Sequence, residues 1–365
     1  MDVFAPRRDR VLQFLLGAGV DGAVVTHPVN VTYLTGFSGE ASYLLIGRDK
    51  TILVSDGRFT TQIQEECPGL DAHIRPPSLR ITPAAAQVLE ALKWPKVALD
   101  AGHVTLAEFE QFRALCPAVQ WQAGTGLVER FRVVKDASEI AAIRAATAIA
   151  ERALRDFLPT LDDHDTEKQL HDRMEMLLRA EGAKAGCFPP IIGIDTRAAL
   201  PHAVPTAKTL AGAHLLLVDW GARDQFYISD VTRTFACGAV TPKFEEIYRT
   251  VLQAQRAAIE LLRPGAVAQD IDTAVRQVFE AAGYLQYFNH GLGHGIGLEV
   301  HEAPALRPGS DTKLEAGMVV TIEPGLYLPE WGGVRIEDDV LITEEGHEVL
   351  TAGIGKDLDQ VLLQW

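Results

Sequence analysis

Apolar positions along the chain fall into two regimes. Up to about residue 130, short apolar runs alternate with amphipathic stretches. Gly22–Thr26, Ser42–Ile46, Thr51–Ser55 and Lys96–Asp100 read as short buried strands, and Thr60–Glu66 and Thr105–Leu115 as helices. Val11, Leu12, Leu15 and Leu16 share one face of a first helix. This alternation predicts an α/β domain over residues 1–130. It carries no phosphate loop or dinucleotide fingerprint.

From residue 131 to 365 the pattern changes, and one plan runs twice, offset by about 100 residues. The first pass opens with Asp136 and Glu139 as a capping box for the helix Ser138–Phe157, which breaks at Pro159. A helix Glu167–Ala180 follows, capped by Thr166 with Gln169. Pro201-His202-Ala203-Val204-Pro205 then precedes a strand Leu215–Trp220 and a second strand Tyr227–Phe235. The second pass enters a helix through Thr241-Pro242, ends it at Pro264-Gly265, and continues with a helix Ile271–Ala282. His301-Glu302-Ala303-Pro304 precedes a strand Met318–Glu323 and a second strand Val334–Thr343. Related halves about a pseudo-twofold axis would bring two acidic pairs face to face: Asp219 with Asp230, and Glu323 with Glu337.

Composition narrows the function classes. With 47% hydrophobic and 23% charged residues, the chain can bury a large core. A net charge of −15 opposes phosphate backbones and argues against nucleic acid as a partner. Cys67, Cys116, Cys187 and Cys237 form no C-x-x-C pair and read as free thiols in a reducing compartment. Arg7, Arg8 and Arg10 precede the apolar stretch Val11–Val20, but Asp21-Gly22 follows where a cleavable leader would carry small residues. No apolar run reaches membrane-spanning length. The expectation is a cytoplasmic protein that does not meet the membrane.

The acids are the chemically informative residues. Asp219 follows Leu215-Leu216-Leu217-Val218, and Glu323 follows Met318-Val319-Val320-Thr321-Ile322. Strands this apolar are buried, and a buried carboxylate without a partner costs several kcal/mol. Arg233 and Arg335 are the local cations, too few for four acids. Two divalent ions would balance the charges of Asp219, Asp230, Glu323 and Glu337. The segment His290-Gly291-Leu292-Gly293-His294-Gly295-Ile296-Gly297 adds imidazoles. Its alternating glycines suit an extended strand that another backbone approaches closely. In such a strand His290 and His294 stand roughly 13 Å apart, so only one can ligate a given ion at about 2 Å.

At these residues the chain resembles the creatinase/prolidase family of metallopeptidases. The matching stretches are Val218-Asp219-Trp220-Gly221-Ala222, Ser229-Asp230-Val231-Thr232-Arg233-Thr234, His290 to Glu302, Thr321-Ile322-Glu323-Pro324-Gly325 and Gly333-Val334-Arg335-Ile336-Glu337-Asp338. The resemblance implies an α+β architecture. A C-terminal pita-bread catalytic domain with a pseudo-twofold repeat follows a smaller creatinase-type N-terminal α/β domain.

It also implies roles. Asp219, Asp230, His294, Glu323 and Glu337 would hold two divalent metals, Mn²⁺ first, with Co²⁺ or Zn²⁺ as alternatives. His202 and His301 would contact substrate and the tetrahedral intermediate, with His290 and Arg335 at further substrate-binding positions. The implied substrate is a small peptide with proline second, and the implied assembly a homodimer. A hydroxide bridging two metals would attack the scissile carbonyl. Glu323 would carry the proton, His202 and His301 would stabilise the oxyanion, and Arg335, on the strand face of Glu337, would orient that carboxylate. Dipeptidase and aminopeptidase readings stay open, as do a non-proline aminopeptidase and a noncatalytic metal-containing binder of the same fold. No G-x-S-x-G or H-E-x-x-H supports another hydrolase class.

Overall fold

A computed structural model of the chain describes residues 3–363. Contacts divide it into two compact units, with the division between Arg132 and Val133.

The first unit is built on a six-stranded mixed sheet. Its strands run in the order Asp71–Arg75, Thr51–Asp56, Tyr43–Gly47, Gly22–Val25, Lys96–Asp100 and Gln120–Gly124. Val24, Leu45, Val54, Val97 and Leu99 point into a core closed by the helix Ile81–Leu92 and by Phe112 of the helix Leu106–Leu115. The predicted strands and helices of this unit are present within a residue or two at each end. Three helices (Pro28–Thr35, Ile81–Leu92 and Glu129–Arg132) and two strands escaped prediction. Pro28–Thr35 is helical although Val, Thr and Tyr favour strands. Its markers are the proline at its start and Gly36 after its end, at φ +76°. Asp71–Arg75 and Gln120–Gly124 are edge strands with few fully buried side chains, so their sequences show no apolar alternation.

In the second unit the doubled plan is visible. The helices Ala137–Phe157 and Glu167–Ala180 begin with the two predicted capping boxes, Asp136 with Glu139 and Thr166 with Gln169. Pro242–Glu260 and Ala268–Ala281 take the corresponding places in the second pass. One four-stranded sheet pairs Leu215–Trp220 with Val231–Cys237, and one five-stranded sheet pairs Val319–Ile322 with Asp338–Ile342. Apolar side chains of both sheets and all four helices form one continuous core.

Three strands differ from expectation. Tyr227–Phe235 is interrupted at Ser229-Asp230, and Val334–Thr343 at Ile336-Glu337. The glycine-rich segment is a strand only over Gly293–Gly295, with an irregularity between His294 and Gly295. All three departures fall at predicted metal-site residues, where the backbone leaves its ladder. No helix among the described residues is long and apolar enough to cross a membrane. Cys67, Cys116 and Cys237 are buried, and Cys187 is partly buried.

Candidate metal centre

Each hairpin presents its acids where the strand pairing gives out. In the first, Asp219 lies opposite Thr232, the last pair is Trp220 with Val231, and Asp230 stands just beyond it. In the second the last pair is Ile322 with Asp338, so Glu323 and Glu337 both stand just beyond. Backbone groups freed there must find other partners. Asp230 N–H donates to Asp339 Oδ2 at 3.0 Å, Glu337 N–H to the Thr232 carbonyl at 3.1 Å, and Glu323 N–H to the Leu292 carbonyl at 2.9 Å. These bonds cross from one hairpin to the other and to the histidine segment.

The glycines of that segment are required by close approach. A Cβ at Gly293 would lie 2.0 Å from the Thr321 carbonyl oxygen, and one at Gly295 2.2 Å from that of Ala303. Between them, His294 donates from Nδ1 to the Gly295 carbonyl at 3.1 Å. That bond fixes the tautomer and leaves Nε2 as a lone-pair donor. Nε2 is 3.4 Å from Glu323 Oε1 and 3.9 Å from Asp230 Oδ2. Asp230, His294 and Glu337 each offer a ligand atom within 4.8 Å of the others.

The fit to divalent cations can be tested on the side chains themselves. Asp219 Oδ1 is buried without a hydrogen-bond partner. Burial, then Glu337 and the other nearby acids, hold the Asp230 carboxyl well above its ordinary range. Burial and Glu337 do the same to Glu323, and burial and Asp219 push Glu337 to about 8. Burial and neighbouring His301 push His294 down to about 4, so it stays neutral near pH 7. Deprotonated oxygens and a neutral imidazole are what Mn²⁺, Co²⁺ or Zn²⁺ would take; a cation there would bring the raised carboxyls back down and hold the imidazole neutral. The donor set fits a divalent cation.

Arg335 departs from its expected place. It reaches Asp219, not Glu337, with Nη2 2.5 Å from Oδ2. Its Nε donates to Thr232 Oγ1 at 2.9 Å, and Thr232 in turn donates to Glu337 Oε2 at 2.6 Å. The break at Glu337 explains the change, because the two residues no longer alternate along one strand. Arg233 serves Asp338 outside the donor set and also donates to the Glu337 carbonyl.

The remaining predicted residues line the same cleft, of about 1210 Å³, with all five metal-site side chains. His202 and His301 are exposed on its wall, and the His301 ring meets that of His294 edge-on at 4.4 Å. His290 donates from Nδ1 to the Gly291 carbonyl and accepts at Nε2 from Tyr327 Oη at 2.9 Å. Arg335 Nη1 donates to the same Tyr327 oxygen at 2.9 Å. The order of donors is therefore Arg335, Tyr327, His290.

Sequence reasoning did not single out Tyr327, Thr232 or Asp339. Tyr327 sits in the short strand Gly325–Leu328 right after Glu323-Pro324. Thr232 is the residue opposite Asp219 in its hairpin, and Asp339 is an acid inside an apolar strand. Each was findable once the hairpin register was known.

Residues 141–344 match metallopeptidase family M24, and residues 7–134 match the Creatinase/Prolidase N-terminal domain. The Xaa-Pro dipeptidase of Pyrococcus horikoshii is 32% identical over 352 residues, covering 96% of this chain and 98% of that protein. Among solved structures, an Xaa-Pro dipeptidase from Bacillus anthracis superposes with a TM-score of 0.93 at 34% identity, over 99% of this chain and 100% of that one. An X-Pro aminopeptidase from Thermotoga maritima gives 0.89 at 30% identity, over 96% and 99%.

Proposed function

The chain belongs to metallopeptidase family M24, and on that footing we propose that it hydrolyses Xaa-Pro dipeptides at a dinuclear metal site. The observation that carries the reading is the convergence of Asp230, His294 and Glu337 within 4.8 Å, with Asp219 and Glu323 in the same cleft. These five residues would hold two divalent ions, Mn²⁺ by preference. Ions bound there supply Lewis acidity and a water acidic enough to deprotonate near pH 7.

The chain's own groups do the rest. A Glu323 carboxylate oxygen carries a proton toward the leaving nitrogen, which in an Xaa-Pro bond has no N–H of its own. His202 and His301, on the cleft wall, donate to the developing oxyanion or hold the peptide. His290 and Arg335 belong to the substrate side of the cleft, linked through Tyr327. Phe188, Pro189, Pro190 and Val204 give the cleft an apolar wall suited to a proline ring.

The choice of dipeptidase rests on a cation. Among those lining the cleft, Arg335 is committed to Asp219 and Lys168 to Asp172. Arg307, exposed on the same wall, is placed to take the free carboxylate of a dipeptide. The aminopeptidase reading is favoured by the likeness to the Thermotoga maritima enzyme. Turnover of Ala-Pro against Ala-Pro-Ala, with Mn²⁺ and with a chelator, decides between them. Metal-dependent cleavage confined to the dipeptide is expected. Cleavage of the tripeptide transfers the case to the aminopeptidase, and no cleavage of either ends the proposal.

A further inference from the structure

His202 and His290 stand in neither helix nor strand. A loop side chain keeps its aim only if its backbone is tied down. Two acid–arginine pairs outside the metal donor set do the tying, one in each half of the second unit.

In the first half, Glu167 opens its helix and is wholly buried. Its Oε1 accepts from Ile194 N–H at 3.1 Å. Its Oε2 accepts from Arg197 Nε at 2.6 Å, from Thr206 N–H at 3.0 Å and from Thr206 Oγ1 at 2.6 Å. Arg197 Nη2 then donates to the Val204 carbonyl. Residues 197–206, with His202 between the anchors, thus close on a single carboxylate.

In the second half the wholly buried acid is Asp272. Its Oδ2 accepts from Arg276 Nε at 2.7 Å, and its Oδ1 from Leu292 N–H at 3.2 Å. Arg276 Nη2 donates to the His290 carbonyl at 2.7 Å, and its guanidinium lies 4.6 Å over the Phe288 ring. The residues are not the same as in the first half, but the arrangement is: a helix carboxylate, an arginine seated on it, and the carbonyl of a histidine loop held by that arginine. Burying a carboxylate is unfavourable in itself, and here its hydrogen bonds go to loops that carry cleft histidines.

We infer that Arg197 and Arg276 are positioning residues that set the reach of His202 and His290 into the cleft. The inference rests on the reading that these histidines contact substrate. Arg197→Met should lower kcat/KM on the order of 10- to 100-fold, and Arg197→Lys should recover part of it. In a His202→Ala background, Arg197→Met should add nothing, because the group it acts through is gone. Arg276→Met and His290→Ala should behave in the same way. Mn²⁺ affinity by calorimetry should stay at the wild-type value in both arginine variants, and amide exchange should rise over residues 198–206 or 288–292. Multiplicative losses in the double variants would overturn the inference. If His202→Ala and His290→Ala both kept full turnover, the substrate role of these histidines would fall. Exchange would then decide the inference by itself, with unchanged protection of both loops overturning it.

Discussion

Arg335 holds Asp219 by an ion pair, Nη2 to Oδ2 at 2.5 Å, with both side chains almost wholly removed from water. The guanidinium thereby keeps a charge partner beside a carboxylate that burial drives toward protonation. Arg335→Met strands that carboxylate, at a cost of about 3–5 kcal/mol in metal-free protein. A divalent ion supplies the missing charge and stabilises the folded chain by mass action. Thermal melts in chelator and in Mn²⁺ should therefore show a larger metal-induced rise in Tm for the variant than for the wild type. Equal rises would show that Arg335 and the metal do not share Asp219.

Asp230 is crowded by Glu337, Asp219, Asp339 and Glu323. Asp230→Asn removes one of these like charges. The metal-free variant should melt no lower than wild type, should gain nothing from Mn²⁺, and should hydrolyse Xaa-Pro peptides at background rate. Near-normal turnover would remove Asp230 from the donor set.

Arg307 should matter only when the substrate ends in a carboxylate. A hydrogen bond to a charged group contributes about 1.5–3 kcal/mol. Arg307→Ala is thus expected to raise KM for Ala-Pro on the order of 10- to 100-fold, and to leave Ala-Pro-amide unchanged. Steady-state kinetics on the two substrates makes the comparison, and equal losses on both would place Arg307 elsewhere in the mechanism.

Acid should act on the first unit through Glu129. Burial pushes its carboxyl up, but the Asn30 amide, a backbone N–H and His103 outweigh burial and hold it at about 2. A carboxylate with a depressed folded-state pKa contributes stability above its unfolded value, near 4.3, and loses it as pH falls toward 2. Wild type should therefore lose stability across that window more steeply than Glu129→Gln, by urea melts at successive pH values. Parallel profiles for the two proteins would contradict the assignment.

Elements were legible wherever local signals were strong. The capping boxes at Asp136 and Thr166 fixed helix starts, and the apolar run before Asp219 fixed a strand to the residue. The gathering of the acids in one cleft was legible because acids in apolar surroundings demand compensation. Hidden from the sequence were features set by contacts between distant segments. The ladder breaks at Asp230 and Glu337 depend on donors and acceptors in the opposite hairpin. The same holds for Arg335, whose partner lies 116 residues away, and for Tyr327, whose role appears only beside His290 and Arg335.

The two hairpins complete one another: Thr232 secures Glu337, and Asp339 secures Asp230. A chain emerging from the ribosome makes its N-terminal part first. By the time Val231–Cys237 has been synthesised, half of the acids exist, but the groups that aim them have yet to be translated. A cleft with its acids fully aimed therefore cannot form until the chain has been made past Asp339.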